Sequence, residues 1–170
     1  MEKSEICSPK CGPEGEKKSG KNMCVRETQN SINCSEQIRD MMDMILQQLH
    51  VPEDFYDFCE VCDKGGRLLE RFEPLSDAPF WILLLRRGKE AAERLVKERG
   101  KPDDWYLLAS ICSRIASSSQ CVVSREECVA CVKRGENIVR KLLEEFPSNS
   151  DYESLRQDFL FLRIYIDYMW

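Results

Sequence analysis

From residue 35 onward, apolar residues recur every three or four positions, the spacing of one face of an α-helix. In "EQIRDMMDMILQQLH", Ile38, Met41, Met42, Ile45, Leu46 and Leu49 fall together, and Ser35 stands where it can cap the start. Pro52, followed by Glu53 and Asp54, suits a helical first turn and opens a second helix to about Cys62. Gly65-Gly66 predicts a break. Beyond it, "RLLERFEPLSDAP" predicts a short helical piece ending at Pro74, with Ser76 or Asp77 capping the next element. "FWILLLRRG" is almost wholly apolar and by itself fits a buried strand. No second strand-like run exists to pair with it, so a helix is predicted, because a lone strand leaves its backbone unsatisfied.

The second half is more regular. "KEAAERLVKERG" has strong helix formers and a terminal glycine. "KPDDWYLLASICSRIASSS" begins with Pro102 and acidic residues, and sets Trp105, Leu108, Ile111, Cys112 and Ile115 on one face. "SREECVACVKRGENIVRKLLEEFP" opens on the capping box Ser124-x-x-Glu127 and stops at Pro147. "SNSDYESLRQDFLFLRIYIDYMW" is a final apolar helix. The expectation is an all-α domain over 34–170 of seven or eight antiparallel helices, either an irregular bundle or a helical-hairpin array. Residues 1–33 contain no aromatic side chain and mix Lys, Glu, Ser, Gly and Pro, which predicts a disordered leader.

Composition narrows the function. Hydrophobic residues make up 42% of the 170 positions, enough to bury a core. A net charge of −5 argues against a generic nucleic-acid binder, which carries basic excess to displace counterions. No apolar run approaches the roughly 20 residues of a membrane-spanning helix, and the N-terminus lacks the apolar segment of a secretory signal. The expected residence is cytoplasmic or nuclear, with reduced thiols. His50, the one histidine, sits at a helix junction, and no G-x-S-x-G, Walker or G-x-G-x-x-G pattern occurs, so no enzymatic activity is expected. Arg86, Arg87, Lys89, Arg94, Lys97, Arg99 and Lys101 cluster, but interleaved Glu90, Glu93 and Glu98 predict an exposed, ion-paired face.

The ten cysteines raise the chemical question. Helical spacing puts Cys59 and Cys62 on the face of Phe55 and Phe58. It also threads Cys128 into the row Val132, Gly135, Val139, Leu142, Phe146, with Cys131 one step around. Packing as small hydrophobes is the favoured reading, with no cofactor. The alternative is a zinc site of Cys59, Cys62, Cys128 and Cys131. "CEVCDKGGRLL" resembles the opening of PHD fingers, which implies a zinc-dependent chromatin module. That pattern needs a second cysteine pair soon after and then a histidine, but no cysteine occurs between 62 and 112 and His50 lies upstream. "PEDFYDFCEVC" resembles a segment of the histone PARylation factor family, which implies an ADP-ribosylation cofactor over about eleven residues; the family's acidic catalytic residues have no counterpart here. A catalytic dithiol is disfavoured, because Cys59 and Cys62 sit late in their helix and Glu126 and Glu127 flank Cys128.

Two further resemblances concern architecture. "DDWYLLAS" resembles the first helix of the tetratricopeptide family, through Trp105, Leu108 and Ala109, and Pro147 resembles its proline after a second helix. "RLLERFEPLSDAPFWILLLRRG" resembles a death-fold adaptor, which implies six helices between Ser35 and Gly100.

Partners are expected at the last helix. Leu155, Phe159, Leu162, Ile166 and Met169 alternate steps of four and three, a coiled-coil seam. Phe161, Ile164, Tyr165, Tyr168 and Trp170 add apolar surface outside it. So wide an apolar arc is sandwiched in the core or covered by another chain. The expectation is a non-catalytic interaction module whose partner protein meets Phe159, Leu162, Tyr165, Ile166, Met169 and Trp170, with homo-oligomerisation left open. Trp81, Trp105, Tyr165 and Trp170 are the candidate anchors.

Overall fold

A computed structural model of the chain describes Gln37 and residues 39–72, 80–118 and 122–169. The expected leader, the caps at Ser35 and at Ser76 or Asp77, the stop at Pro74, and Cys7, Cys11, Cys24, Cys34, Cys121 and Trp170 lie outside the described residues. The regular structure among the described residues is entirely helical. It comprises α1 (39–48), α2 (Pro52–Phe72), α3 (Phe80–Glu98), α4 (Pro102–Ala116), α5 (Arg125–Glu145) and α6 (Ser150–Met169).

Among the described residues six helices replace the expected seven or eight, because glycines that look like breaks lie inside helices. Gly65-Gly66 falls within α2, and Gly88 joins "FWILLLRRG" to "KEAAERLVKERG" within α3. A helix bonds through its backbone, so an interior glycine costs only about 1 kcal/mol. Here the missing side chains let two helices close up. A Cβ on Gly66 would lie 3.2 Å from the Leu85 side chain, and one on Gly88 would lie 2.8 Å from Cys62 Cβ. Among the described residues before Gly100 there are three helices, against the six that a death fold implies.

The termini follow local rules. Gly100 ends α3 at φ +65°, the left-handed turn that glycine adopts without strain. Pro102 opens α4, and Asp104 reaches back to accept from Lys101 N at 2.9 Å. Ser124 Oγ accepts from Glu127 N at 3.2 Å, but the Glu127 carboxylate turns away to Arg86, leaving the box half made. Asn149 Oδ1 caps α6, accepting from Asp151 N and Tyr152 N.

Successive helices run up and down. Cys62 meets Gly88 while Gly66 meets Leu85; Arg99 meets Asp104 while Gly88 meets Ile111; Arg125 meets Asp167 while Gly135 meets Phe159. Between α4 and α5, Trp105 meets Arg134 while Cys112 meets Cys131. Numbers rise on one helix as they fall on the next, so α2, α3, α4, α5 and α6 alternate in direction. Every second helix is therefore parallel: Asp63 of α2 binds Arg114 of α4, and Tyr106 of α4 lies 5.5 Å from Tyr152 of α6. One continuous apolar cluster extends from Leu46 to Ile166 through all six helices.

Two buried carboxylates tie this stack together. Asp104 is fully buried, and Arg99 grips both its oxygens while packing 5.5 Å over the Tyr56 ring. Asp63 is buried beside Cys62 and accepts from Arg114 Nη1 at 2.6 Å, while its backbone carbonyl accepts from the same nitrogen at 2.7 Å. The first pair braces the α3–α4 turn, and the second joins α2 to α4 across 51 residues of sequence.

Candidate functional site

The cysteines occupy the core. Cys59, Cys62, Cys112, Cys128 and Cys131 are all free and buried. Cys59 and Cys62 lie in mid-α2, in continuous helix where a PHD finger has a zinc loop. The Cys59 thiol donates to Gly88 O at 3.3 Å, and Cys112 of α4 hydrogen-bonds with Cys131 of α5. Cys131 thus pairs with Cys112 and not with the α2 thiols. Among the described residues, no three His, Cys, Asp or Glu side chains are grouped so as to hold a metal ion.

Burial sets the chemistry of these thiols. It raises Cys59, with Cys62 adding to the effect, and pushes Cys62 up to about 12 with Asp63 adding to it. Cys112 rises through its bond to Cys131 and through burial. Cys131 is instead lowered by its bond to Cys112. For Cys62 the folded state favours the protonated form, so its contribution to stability is complete below the ordinary thiol value of 9.0 and is lost as pH climbs through about 12. Native protein is expected to resist iodoacetamide at Cys59 and Cys62 at neutral pH and to be labelled there once unfolded. Peptide mapping checks this, and fast native labelling of either would contradict the packing.

Arg86, Arg87 and Arg99 of the basic cluster are ion-paired, largely across helices instead of along one exposed face. Arg86 binds Glu127 of α5 through two bonds of 2.9 and 2.7 Å. Arg87 bridges Glu90 to Asp43 of α1, and Arg99 reaches Asp104 and Glu53. These are framework contacts. His50 is exposed at the end of α1. Trp81 is buried, and Trp105 is half-buried under Arg134 at 5.8 Å.

The last helix is apolar on opposite faces. Tyr152, Leu155, Phe159, Leu162 and Ile166 face inward and are buried. Phe159 is wholly enclosed, its ring lying against the Gly135 backbone, where a Cβ would come within 1.9 Å of Cζ. Phe159, Leu162 and Ile166, expected to meet a partner, are therefore occupied within the chain. Tyr165 is half-buried and stacks with Phe161 at 6.3 Å; the Met169 side chain and Trp170 are outside what is described. The accessible surface is the reverse face: Phe161 and Ile164 are each 67% exposed and Tyr168 is 87% exposed. With Gln157 they step by four, three and four, a second seam directly opposite the first. That pattern was visible in the sequence, but so was its rival, and nothing local chose between them.

Beside the exposed seam, α5 and α6 enclose a cleft of about 520 Å3 floored by Leu143, Phe159 and Leu160 and rimmed by Arg140, Glu144 and Arg156. Among the described residues, no helix is long and apolar enough to cross a membrane. No family model, curated protein or solved structure matches this chain.

Proposed function

We propose that this chain is a non-catalytic helical-hairpin interaction module, of tetratricopeptide-like design, that docks a partner protein on the outer face of α6. Three features support the hairpin reading: up-and-down neighbours, parallel alternate helices, and Leu108 and Ala109 buried in α4. In such an array each helix buries one stripe against its neighbours and leaves the reverse polar. The reverse of α6 departs from this. The observation that carries the proposal is the row of Phe161, Ile164 and Tyr168, at least two-thirds exposed and far larger than a solvated helix face requires.

Photo-crosslinking from a benzoylphenylalanine at position 161 tests the proposal. Specific protein adducts are expected there and not from the exposed polar position Lys141 on α5. Equal labelling from both positions would remove the support for docking. Phe161→Asp together with Ile164→Asp is expected to abolish the adducts of a probe at position 168. Because neither side chain is in the core, each change alters stability by about 0.5 kcal/mol or less. A large drop in melting temperature would mean that the face belongs to the folded core.

A further inference from the structure

The side chains flanking the exposed seam identify the kind of partner. Taking Gln157, Phe161, Ile164 and Tyr168 as the contact positions of a helix pair, the flanking positions on one side are Asp151, Asp158 and Tyr165. On the other they are Glu153, Leu160 and Asp167. Four of these six are carboxylates and none is basic. Glu153 is already engaged by Arg156 at 2.9 and 2.6 Å, and among the described residues the cation at Asp167 is Arg125, at 3.9 Å. Asp151, Asp158 and Asp167 are exposed.

Flanking charges decide partner choice in paired helices, because like charges brought together repel and opposite charges attract. A second copy of α6 would set this acidic border against its own acidic border. A helix with lysine or arginine beside an apolar stripe meets it with complementary charge. We infer that the α6 face binds an amphipathic helix of basic character, its apolar stripe covering Phe161, Ile164 and Tyr168 and its cations facing Asp158 and Asp167. This rests on the docking reading above and adds the partner's chemistry. The direction of the partner is antiparallel to α6, continuing the alternation from α2 to α6. The apolar contact supplies most of the affinity, and the charges supply selection and salt dependence.

Two synthetic helices of roughly 20 residues, long enough to hold helical structure, test the inference against the full chain. Both carry leucine and isoleucine at the contact positions; one has lysine at all flanking positions and its twin has glutamate. Fluorescence anisotropy is expected to give about tenfold tighter binding of the lysine peptide, with the advantage shrinking as salt is added. In the Asp158→Lys, Asp167→Lys variant the preference is expected to reverse, with circular dichroism and melting unchanged. Three results would overturn the inference: equal binding of both peptides, binding of neither, or a dimer of the native chain in sedimentation that Ile164→Asp dissolves. The position-161 crosslinks remain a separate readout. If they persist under any of these results, a docking face with a different occupant stands; if they are absent too, the docking reading falls as well.

Discussion

Replacing Gly135 with alanine is expected to destabilise the fold by about 2 kcal/mol or more, although alanine is the better helix former by about 1 kcal/mol. Gly135 is buried in mid-α5, and the added methyl would sit 1.9, 2.4 and 2.5 Å from three carbons of the Phe159 ring. Those distances are far inside contact range, and the ring is fully enclosed, so α6 itself must move away from α5. A chemical denaturation series measures the loss. Phe159→Leu alone creates a void and costs roughly 1–3 kcal/mol. In the Gly135→Ala background it makes room for the methyl, so the double mutant should lose at least about 1 kcal/mol less than the sum of the single changes. A stabilised Gly135→Ala protein, as expected for an exposed helical glycine, would contradict the Gly135–Phe159 contact.

The second large effect is expected at Arg99. Arg99→Met strips the fully buried Asp104 carboxylate of its guanidinium bonds from Nε and Nη2 and leaves it the Lys101 N–H. An uncompensated buried charge of this kind costs about 3–5 kcal/mol. Asp104→Asn should cost less, because the amide oxygen still accepts from Lys101 N and Arg99 keeps Glu53 and the Tyr56 ring. The order of the two unfolding free energies is the test. Equal, small losses would show that the pair is dispensable. Combining Arg99→Met with Asp104→Leu, which removes both charges, should recover part of the loss.

Both effects come from contacts between residues that local reading treats separately. Gly65-Gly66 and Gly88 signal breaks when only their neighbours are known, whereas Gly135 falls within a helical row; all four lie inside helices. Which glycines are instead points of close approach depends on what the opposing helix presents, here Leu84, Leu85, Cys62 and Phe159. Asp63 obeys the same logic. It lies between Cys62 and Lys64, and its only visible helical partner is Arg67 four residues on. Its burial depends on Arg114, 51 residues away.

The candidate site was half legible. That α6 is too apolar for a solvated helix is evident from composition and spacing alone. Two seams of equal periodicity compete on it, Leu155-Phe159-Leu162-Ile166 and Phe161-Ile164-Tyr168, and both fit a helix that pairs. The groove at Gly135 accepts an aromatic ring, and Phe159 enters it. That one contact turns the first seam inward and leaves the second exposed.

By itself, the sequence determined that this protein is helical and where most helices begin. The 3.6-residue recurrence of apolar positions and the prolines and capping side chains at Pro52, Pro102 and Ser124 act through atoms only a few residues away. It also placed Cys59, Cys62 and Cys128 on apolar helix faces. Only the tertiary structure decided how many helices there are, which carboxylates are buried, and which side of α6 is free. Those outcomes depend on helix-to-helix distances, and such distances are set by pairs of side chains that the chain brings together only when it folds.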